Sequence, residues 1–220
     1  LYKTIGSSAQ EYAKGMRVTV QLTLIAGIVG VVLGVVAALG RTSTLPPLRW
    51  VASFYIWVIR GTPLLVQIMF TYALAALLPA TKGWSEFTIA AVALAINVGA
   101  YNAECIRAGL MAVPKGQMEA AHSLGLGPWH TFMDVTFPQA FKISLPPLIN
   151  NVVALLKDSS LAYVIGVVEI TNIGSQIQAR TFQPVPVYIT AALLYLVLTT
   201  LLTQVSNAVE HRLDVEGRMK

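Results

Sequence analysis

The sequence predicts an all-α membrane protein of five transmembrane helices, with the N-terminus outside and the C-terminus cytoplasmic, and three observations carry that prediction. First, 55% of its residues are hydrophobic and only 11% charged, with a mean hydropathy of +0.67, whereas a water-soluble domain carries about a quarter charged residues. Second, the apolar residues fall into runs of about 20, long enough at 1.5 Å per residue to cross a hydrocarbon layer of roughly 30 Å. Third, threading the runs in order gathers the basic residues of the short loops toward one side, as cytoplasmic loops require. The 220 residues make one membrane domain, 1–220.

The first span is read at about 18–39; Gly30 and Gly34, four apart, give it a small-residue face on which another helix packs closely. The second apolar region, about 48–78, is too long for one perpendicular helix and is interrupted at Gly61, Thr62 and Pro63. It is either one tilted, kinked helix or an interfacial elbow followed by a span from Pro63. Arg49, Ser53 and Arg60 fall within about 40° on a helical wheel, a polar stripe toward headgroups or the bundle interior. The third span is read at about 87–107, the fourth at about 147–168 and the fifth at about 186–207, with a long polar loop over 108–144.

Five spans put the termini on opposite sides. With the N-terminus outside, the inner side holds Arg41, Arg49, Arg107, Lys115, Lys142, Arg212, Arg218 and Lys220, against Lys3, Lys14, Arg17, Lys82 and Arg180 outside. The formal charge of +5 is scattered over segment ends rather than arranged as a stripe, which fits anionic lipid headgroups and not nucleic acid. The chain opens on Leu1 without a basic region, short apolar run and cleavage site. Its lone cysteine, Cys105, leaves no intrachain disulfide.

The long loop has its own structure. Pro114 and Gly116 break the end of the third span; Gln117 to Leu124 are good helix formers, Gly125 is placed to end them, and Trp129 to Phe137 continue apolar until Pro138 stops the run. By itself this is either a knob that protrudes from the membrane or an incidental amphipathic surface helix. The spacing Glu119-Ala120-Ala121, three residues, Gly125, nine residues, Val135, one residue, Phe137-Pro138 resembles the EAA loop of the permease subunits of bacterial ABC importers. Arg60-Gly61-Thr62-Pro63-Leu64-Leu65-Val66-Gln67, Tyr101 to Leu110, Val113 to Gln117 and Lys157-Asp158-Ser159-Ser160-Leu161 extend the likeness over nearly the whole chain, toward the polar amino acid group of histidine, glutamine and arginine permeases. The resemblance implies a membrane-spanning subunit of the bacterial inner membrane that pairs with a second permease subunit, the same or related. It further implies two ATPase subunits that hold the ATP and Mg and clamp Glu119, Ala120, Ala121 and Gly125. An extracytoplasmic binding protein would deliver the amino acid.

Lys157 and Asp158 lie in the middle of the fourth apolar run, where a charge costs at least about 2.5 kcal/mol and so faces the bundle interior or water. Neighbours in sequence point about 100° apart, so the two do not pair face to face on an ideal helix. Asn150 and Asn151 stand seven residues before each, extending two polar stripes. Asp158, Ser159 or Ser160 alternatively cap a second half-helix at a midplane break. The candidate substrate pathway is therefore Asn150, Asn151, Lys157, Asp158, Ser159 and Arg60, with Asn151 and Asp158 toward an ammonium and Lys157 toward a carboxylate. The competing reading is a structural pair neutralised by Arg60, Glu104 or each other.

Glu104 and Arg107 are an i, i+3 pair whose ordinary explanation is a weak salt bridge. Glu169 to Arg180 reads as a short polar helix or loop at the outer mouth, either a receiver for a binding protein, an outer gate or a linker. His122, His130 and His211 have no second ligand at metal spacing. A Gly-rich phosphate loop and a nucleophile–base constellation are both missing from the sequence, so catalytic residues are not expected and the ATPase belongs to another polypeptide. The residues also allow an ion-coupled carrier or channel in which Lys157 and Asp158 relay a proton or ion without an ATPase, and, as a third class, a non-transporting assembly or receptor subunit.

Overall fold

Lipid offers the backbone no hydrogen-bond partners, so each long apolar run must satisfy its own N–H and C=O groups as a helix. The computed structural model describes the backbone of residues 2–212 and the side chains of residues 8–209. Leu1, Arg218 and Lys220 lie outside the described residues, as do the side chains of Lys3, His211 and Arg212. The helices are α1 (Tyr2–Thr42), α2 (Pro46–Gly61), α3 (Leu64–Leu77), α4 (Glu86–Ala112), α5 (Lys115–Ser123), α6 (Pro128–His130), α7 (Phe137–Asp158), α8 (Ile170–Thr181) and α9 (Pro184–Arg212). Four stretches are long and apolar enough to cross a membrane: Ser8–Thr42, Glu86–Ala112, Pro128–Ile165 and Pro184–Val209. The fifth crossing is made by α2 and α3 together, bent by 113°.

Close contacts fix the direction of each crossing. Gly30 lies against Val98 and Gly99, and Gly34 against Asn102 and Ala103, so α1 and α4 run parallel. The bent pair between them therefore returns the chain to its starting side. Gly109 meets Ala140 and Ser144 while Asn102 meets Asn151, so α7 runs antiparallel to α4. Tyr12 donates to the Val187 carbonyl at 3.1 Å, which sets the start of α9 beside the start of α1. Five crossings result, with the described ends of the chain on opposite sides.

Small residues hold these helices together. The Gly30–Gly34 face of α1 lies on Ala95, Gly99 and Ala103 of α4, and an added methyl on Gly34 would stand 2.6 Å from the Asn102 Cβ. With no hydrophobic force between helices in lipid, close backbone approach supplies the packing energy. The large apolar side chains Ile28, Val32 and Val36 point the other way and are exposed, as lipid-facing positions are. Gly109 is the tightest contact, since a Cβ there would collide with the Ser144 Oγ and stand 2.7 Å from the Ala140 carbonyl oxygen. Gly109→Ala is expected to cost about 2 kcal/mol by overpacking, read as a lower thermal midpoint of the detergent-solubilised protein; an unchanged midpoint would mean the two backbones separate freely.

The second apolar region is broken at its Thr62-Pro63 step, and the break is built rather than merely tolerated. Pro63 has no N–H, so the Ile59 carbonyl loses its helical donor. The Gln67 side-chain amide replaces it, donating to the Ile59 carbonyl at 2.7 Å and to the Thr62 hydroxyl at 2.8 Å. Asn97 on α4 then donates to the Gln67 Oε1 at 2.9 Å and pins the corner to the core.

The segment expected as a polar loop over 108–144 is mostly helical. α4 continues to Ala112, α5 follows, and a helix starts at Pro128 and runs through α7, with Pro138, Pro146 and Pro147 inside it. Pro138 does not stop this run. The turn before it, Thr131–Thr136, opens into π geometry, in which i→i+5 spacing relieves the clash and missing donor a proline brings. The Thr136 hydroxyl donates to the Thr131 carbonyl at 3.3 Å across that turn.

At the other end of α7 the helix tightens into a 3₁₀ segment, Ser159–Ile165, closed by Gly166 at φ 95°. Asp158, Ser159 and Ser160 do not cap a half-helix there; no side chain caps the segment, because the backbone continues in right-handed geometry and exposes no free N–H groups. The helix that follows, α8, does carry a side-chain cap. Its cap is Glu169, which the sequence reading treated only as the edge of an outer segment.

Candidate functional site

The bend at Pro63, the middle of α4 and the end of α7 enclose a polar cavity of about 320 Å³. Its wall carries Thr62, Asn97, Tyr101, Asn151 and Asp158 among apolar Leu64, Val98, Ala154 and Leu155. Each polar group arrives for a local reason. Thr62 is presented by the break itself, Asn97 sits where α4 reaches Gln67, and Asn151 and Asp158 are seven apart on one face of α7. Asn151 donates to the Asn102 Oδ1 at 2.9 Å and to the Cys105 Sγ at 3.4 Å, so its position is fixed from α4. Asp158 has no ion-pair partner within 4 Å among the described residues, which leaves one carboxylate facing a cavity of neutral polar groups.

Of the expected pathway residues, Asn151 and Asp158 line this cavity. Asn150 and Lys157 are exposed on the neighbouring flank of α7, because each stands one residue, about 100°, away from its cavity-lining neighbour. Ser159 is fully buried and donates to the Leu156 carbonyl at 2.7 Å. Arg60 belongs to a different cluster. Its Nη1 is 3.8 Å from the Glu104 Oε2, and its guanidinium lies 5.4 Å from the Tyr101 ring centroid. Arg107 reaches the same carboxylate at 3.0 Å, and Arg41 also pairs with it. Neither Arg60 nor Glu104 neutralises Asp158 or Lys157.

The other functional element is α5. Gly125 takes φ 82°, its N–H bonds the His122 carbonyl at 3.0 Å, and the Leu126 N–H bonds the Ala121 carbonyl at 3.1 Å. This pattern is a glycine-closed helix terminus, the one the sequence indicated. Glu119 and Ala120 are exposed and Leu124 is 83% exposed, but Ala121 is buried at 3%. Ala121 seats the helix on the chain beneath it, so the outward surface is Glu119, Ala120 and the Leu124 tip. α5 lies beyond the end of α4, on the side of the bundle that holds Arg41, Arg60 and Arg107.

Residues 30–215 match the family model described as binding-protein-dependent transport system inner membrane component. The chain belongs to that family. It is 42% identical over 201 residues to the L-cystine transport system permease protein of Bacillus subtilis, covering 91% of this chain and 85% of that one. The arginine transport system permease protein of the same organism is 39% identical over 202 residues, 91% of each chain. A crystal structure of an amino acid ABC transporter with histidines superposes with a TM-score of 0.89 at 38% identity, over 96% of this chain and 98% of that one. As a binding-protein-dependent permease, the chain carries several membrane-crossing helices and shares its overall fold with that structure.

Sequence reasoning did not name Thr62, Asn97 or Tyr101 as cavity residues, and it also missed the roles of Arg41 and Glu169. Arg41 was counted only toward orientation, yet it shares the Glu104 carboxylate from a distance of 63 residues. Glu169 accepts from the Thr171 and Asn172 N–H groups at 2.8 and 2.7 Å and from the Tyr195 hydroxyl at 2.5 Å, fully buried. The signal available for it was an acidic residue directly before a helix.

Proposed function

We propose that this chain is the membrane-spanning subunit of an ATP-driven, binding-protein-dependent importer of polar amino acids in a bacterial inner membrane. The observation that carries the reading is the capped knob α5, projecting with Glu119 and Ala120 outward from the basic end of the bundle. Placing that end in the cytoplasm satisfies the positive-inside preference and leaves the N-terminus outside. Two ATPase subunits, which hold ATP and Mg, push on the knobs of two permease subunits, identical or related, and an extracytoplasmic binding protein loads the opposite face. The ATPase activity belongs to those partners.

The polar cavity is the substrate route in this reading. Asp158, without a neutralising partner, and Asn151 meet an ammonium or other cationic group. Lys157 and Asn150, on the exposed flank of the same helix, meet the substrate where the second permease subunit closes the route. The permeases for cystine and arginine at about 40% identity support an amino acid as cargo, since both are charged at the α-amino and α-carboxyl groups.

Gly125→Val tests the coupling. A side chain at positive φ costs about 1–3 kcal/mol locally, enough to unseat the knob while the spans stay folded. Purified with its partners in lipid vesicles, the variant is expected to hydrolyse ATP while losing uptake. Uptake that survives without any copurifying ATPase would instead identify an ion-coupled carrier and defeat the proposal.

A further inference from the structure

On the α1 side of Tyr101, separate from the polar cavity, a second cavity of about 390 Å³ is lined by Arg41, Ser53, Ile56, Trp57, Arg60 and Tyr101. Its electrostatics are unbalanced. Three guanidinium groups, from Arg41, Arg60 and Arg107, converge on the single carboxylate of Glu104. Arg60 is the loosest of the three, at 3.8 Å and with its side chain 44% exposed, and it donates no hydrogen bond to a described residue. Its guanidinium lies over the Tyr101 ring with its N–H donors unused by described residues, beside a cavity with surplus positive charge, an arrangement suited to bidentate contact with an oxyanion.

The position in the membrane selects among oxyanions. Arg41 stands two residues beyond Leu39, where the apolar run of α1 ends. Trp50, Phe54 and Trp57 are 71%, 64% and 72% exposed and share one face of α2, about 60° wide at 100° per residue. This aromatic face runs beside the stripe of Arg49, Ser53 and Arg60. Exposed tryptophans at the edge of an apolar region mark the level of the headgroups, and basic pockets between helices there bind acidic lipid headgroups.

We propose that this cavity binds the phosphodiester headgroup of an anionic phospholipid, held by Arg60 and Arg41, with its acyl chains lying along Trp50, Phe54 and Trp57. One phosphate charge offsets part of the excess that Glu104 leaves. The inference depends on the membrane fold alone and not on the identity of the transported substrate.

The test uses the full chain purified with its partner subunits, delipidated and then titrated in mixed micelles with phosphatidylglycerol or phosphatidylcholine, lipid retention being counted by native mass spectrometry. Retained phosphatidylglycerol is expected in preference to phosphatidylcholine. Arg60→Gln is expected to weaken it about fivefold, the equivalent of one arginine near an anionic surface. Arg60→Lys should recover part of that affinity, and Lys82→Gln, on an exposed turn at the other end of the bundle, should leave it unchanged. Arg60 makes the longest contact to Glu104, so its replacement disturbs the fold least; a circular dichroism melt matching wild type verifies this. Three results overturn the proposal: retention indifferent to Arg60; inorganic phosphate at matched ionic strength displacing the lipid completely, which makes this a free-anion site; or a free amino acid displacing it, which assigns the cavity to the substrate route.

Discussion

Glu169→Leu is expected to cost about 3 kcal/mol or more, because each buried donor left without a partner carries a penalty of about 1–3 kcal/mol. Three donors lose their acceptor together: the Thr171 and Asn172 N–H groups and the Tyr195 hydroxyl. The damage spreads because Glu169 is a junction. Its neighbour Ile170 donates through its N–H to the Thr19 hydroxyl of α1 at 3.4 Å, Tyr195 belongs to α9, and the Glu169 backbone lies about as close to Gly15 as packing allows. Glu169 and Ile170 thus tie the start of α8 to both the last helix, through the carboxylate, and the first, through the backbone. Glu169→Gln keeps one amide oxygen as acceptor and should cost less than half as much. The measurement is the thermal midpoint in detergent together with the steady-state amount of protein in the membrane. Equal stability of the leucine and glutamine variants would show that the hydrogen bonds contribute little beyond side-chain volume.

Asp158→Asn is expected to lower uptake at least about thirtyfold, about 2 kcal/mol, the smaller end of what loss of one partner from a buried charged contact costs. The substitution preserves shape, and with no ion pair to Asp158 in the described chain the stability read from the thermal midpoint should stay within about 1 kcal/mol of wild type. The effect belongs in the concentration dependence of transport and should be greatest for substrates carrying a side-chain cation. Lys157→Met provides the comparison, for its position on the exposed flank predicts a smaller loss that appears only in the assembled pair of permease subunits. Unimpaired uptake with unaltered substrate preference in both variants would remove Asp158 from the route.

Local chemistry explains how much of this architecture was readable in advance. The bend was visible at Thr62-Pro63, because a proline without an N–H interrupts a helix wherever it sits, although the repair by Gln67 was not. Gly125 was legible as a helix terminus, since only a residue free to take positive φ closes a helix in that way. Pro138 misled for the same reason that Pro63 informed: the local rule names a conflict but not its resolution, and here a π turn absorbs it. The loop boundary at 144 failed with it, since the helix that contains Pro138 begins at Pro128. In the candidate site, Asn151 and Asp158 were identifiable by their seven-residue spacing, but the sequence offered no way to decide which of two polar stripes on α7 faces inward. Arg60, also expected on the pathway, stands outside the lining of the polar cavity and is turned toward a carboxylate on α4, a placement set by helix rotation.

The sequence by itself determined that the chain lives in lipid, that it folds as helices, that it crosses five times and where its bend and its capped knob fall. Each of these follows from rules acting over a few residues: apolar length against bilayer thickness, the missing donor of proline, the free φ of glycine. Tertiary structure alone decided that Glu104 gathers arginines from three helices, that Glu169 joins α8 to α1 and α9, and that Asp158 rather than Lys157 faces the cavity. Those outcomes depend on which helices lie side by side and how each is rotated about its axis, and contacts between residues 26 to 151 positions apart leave no trace in local spacing.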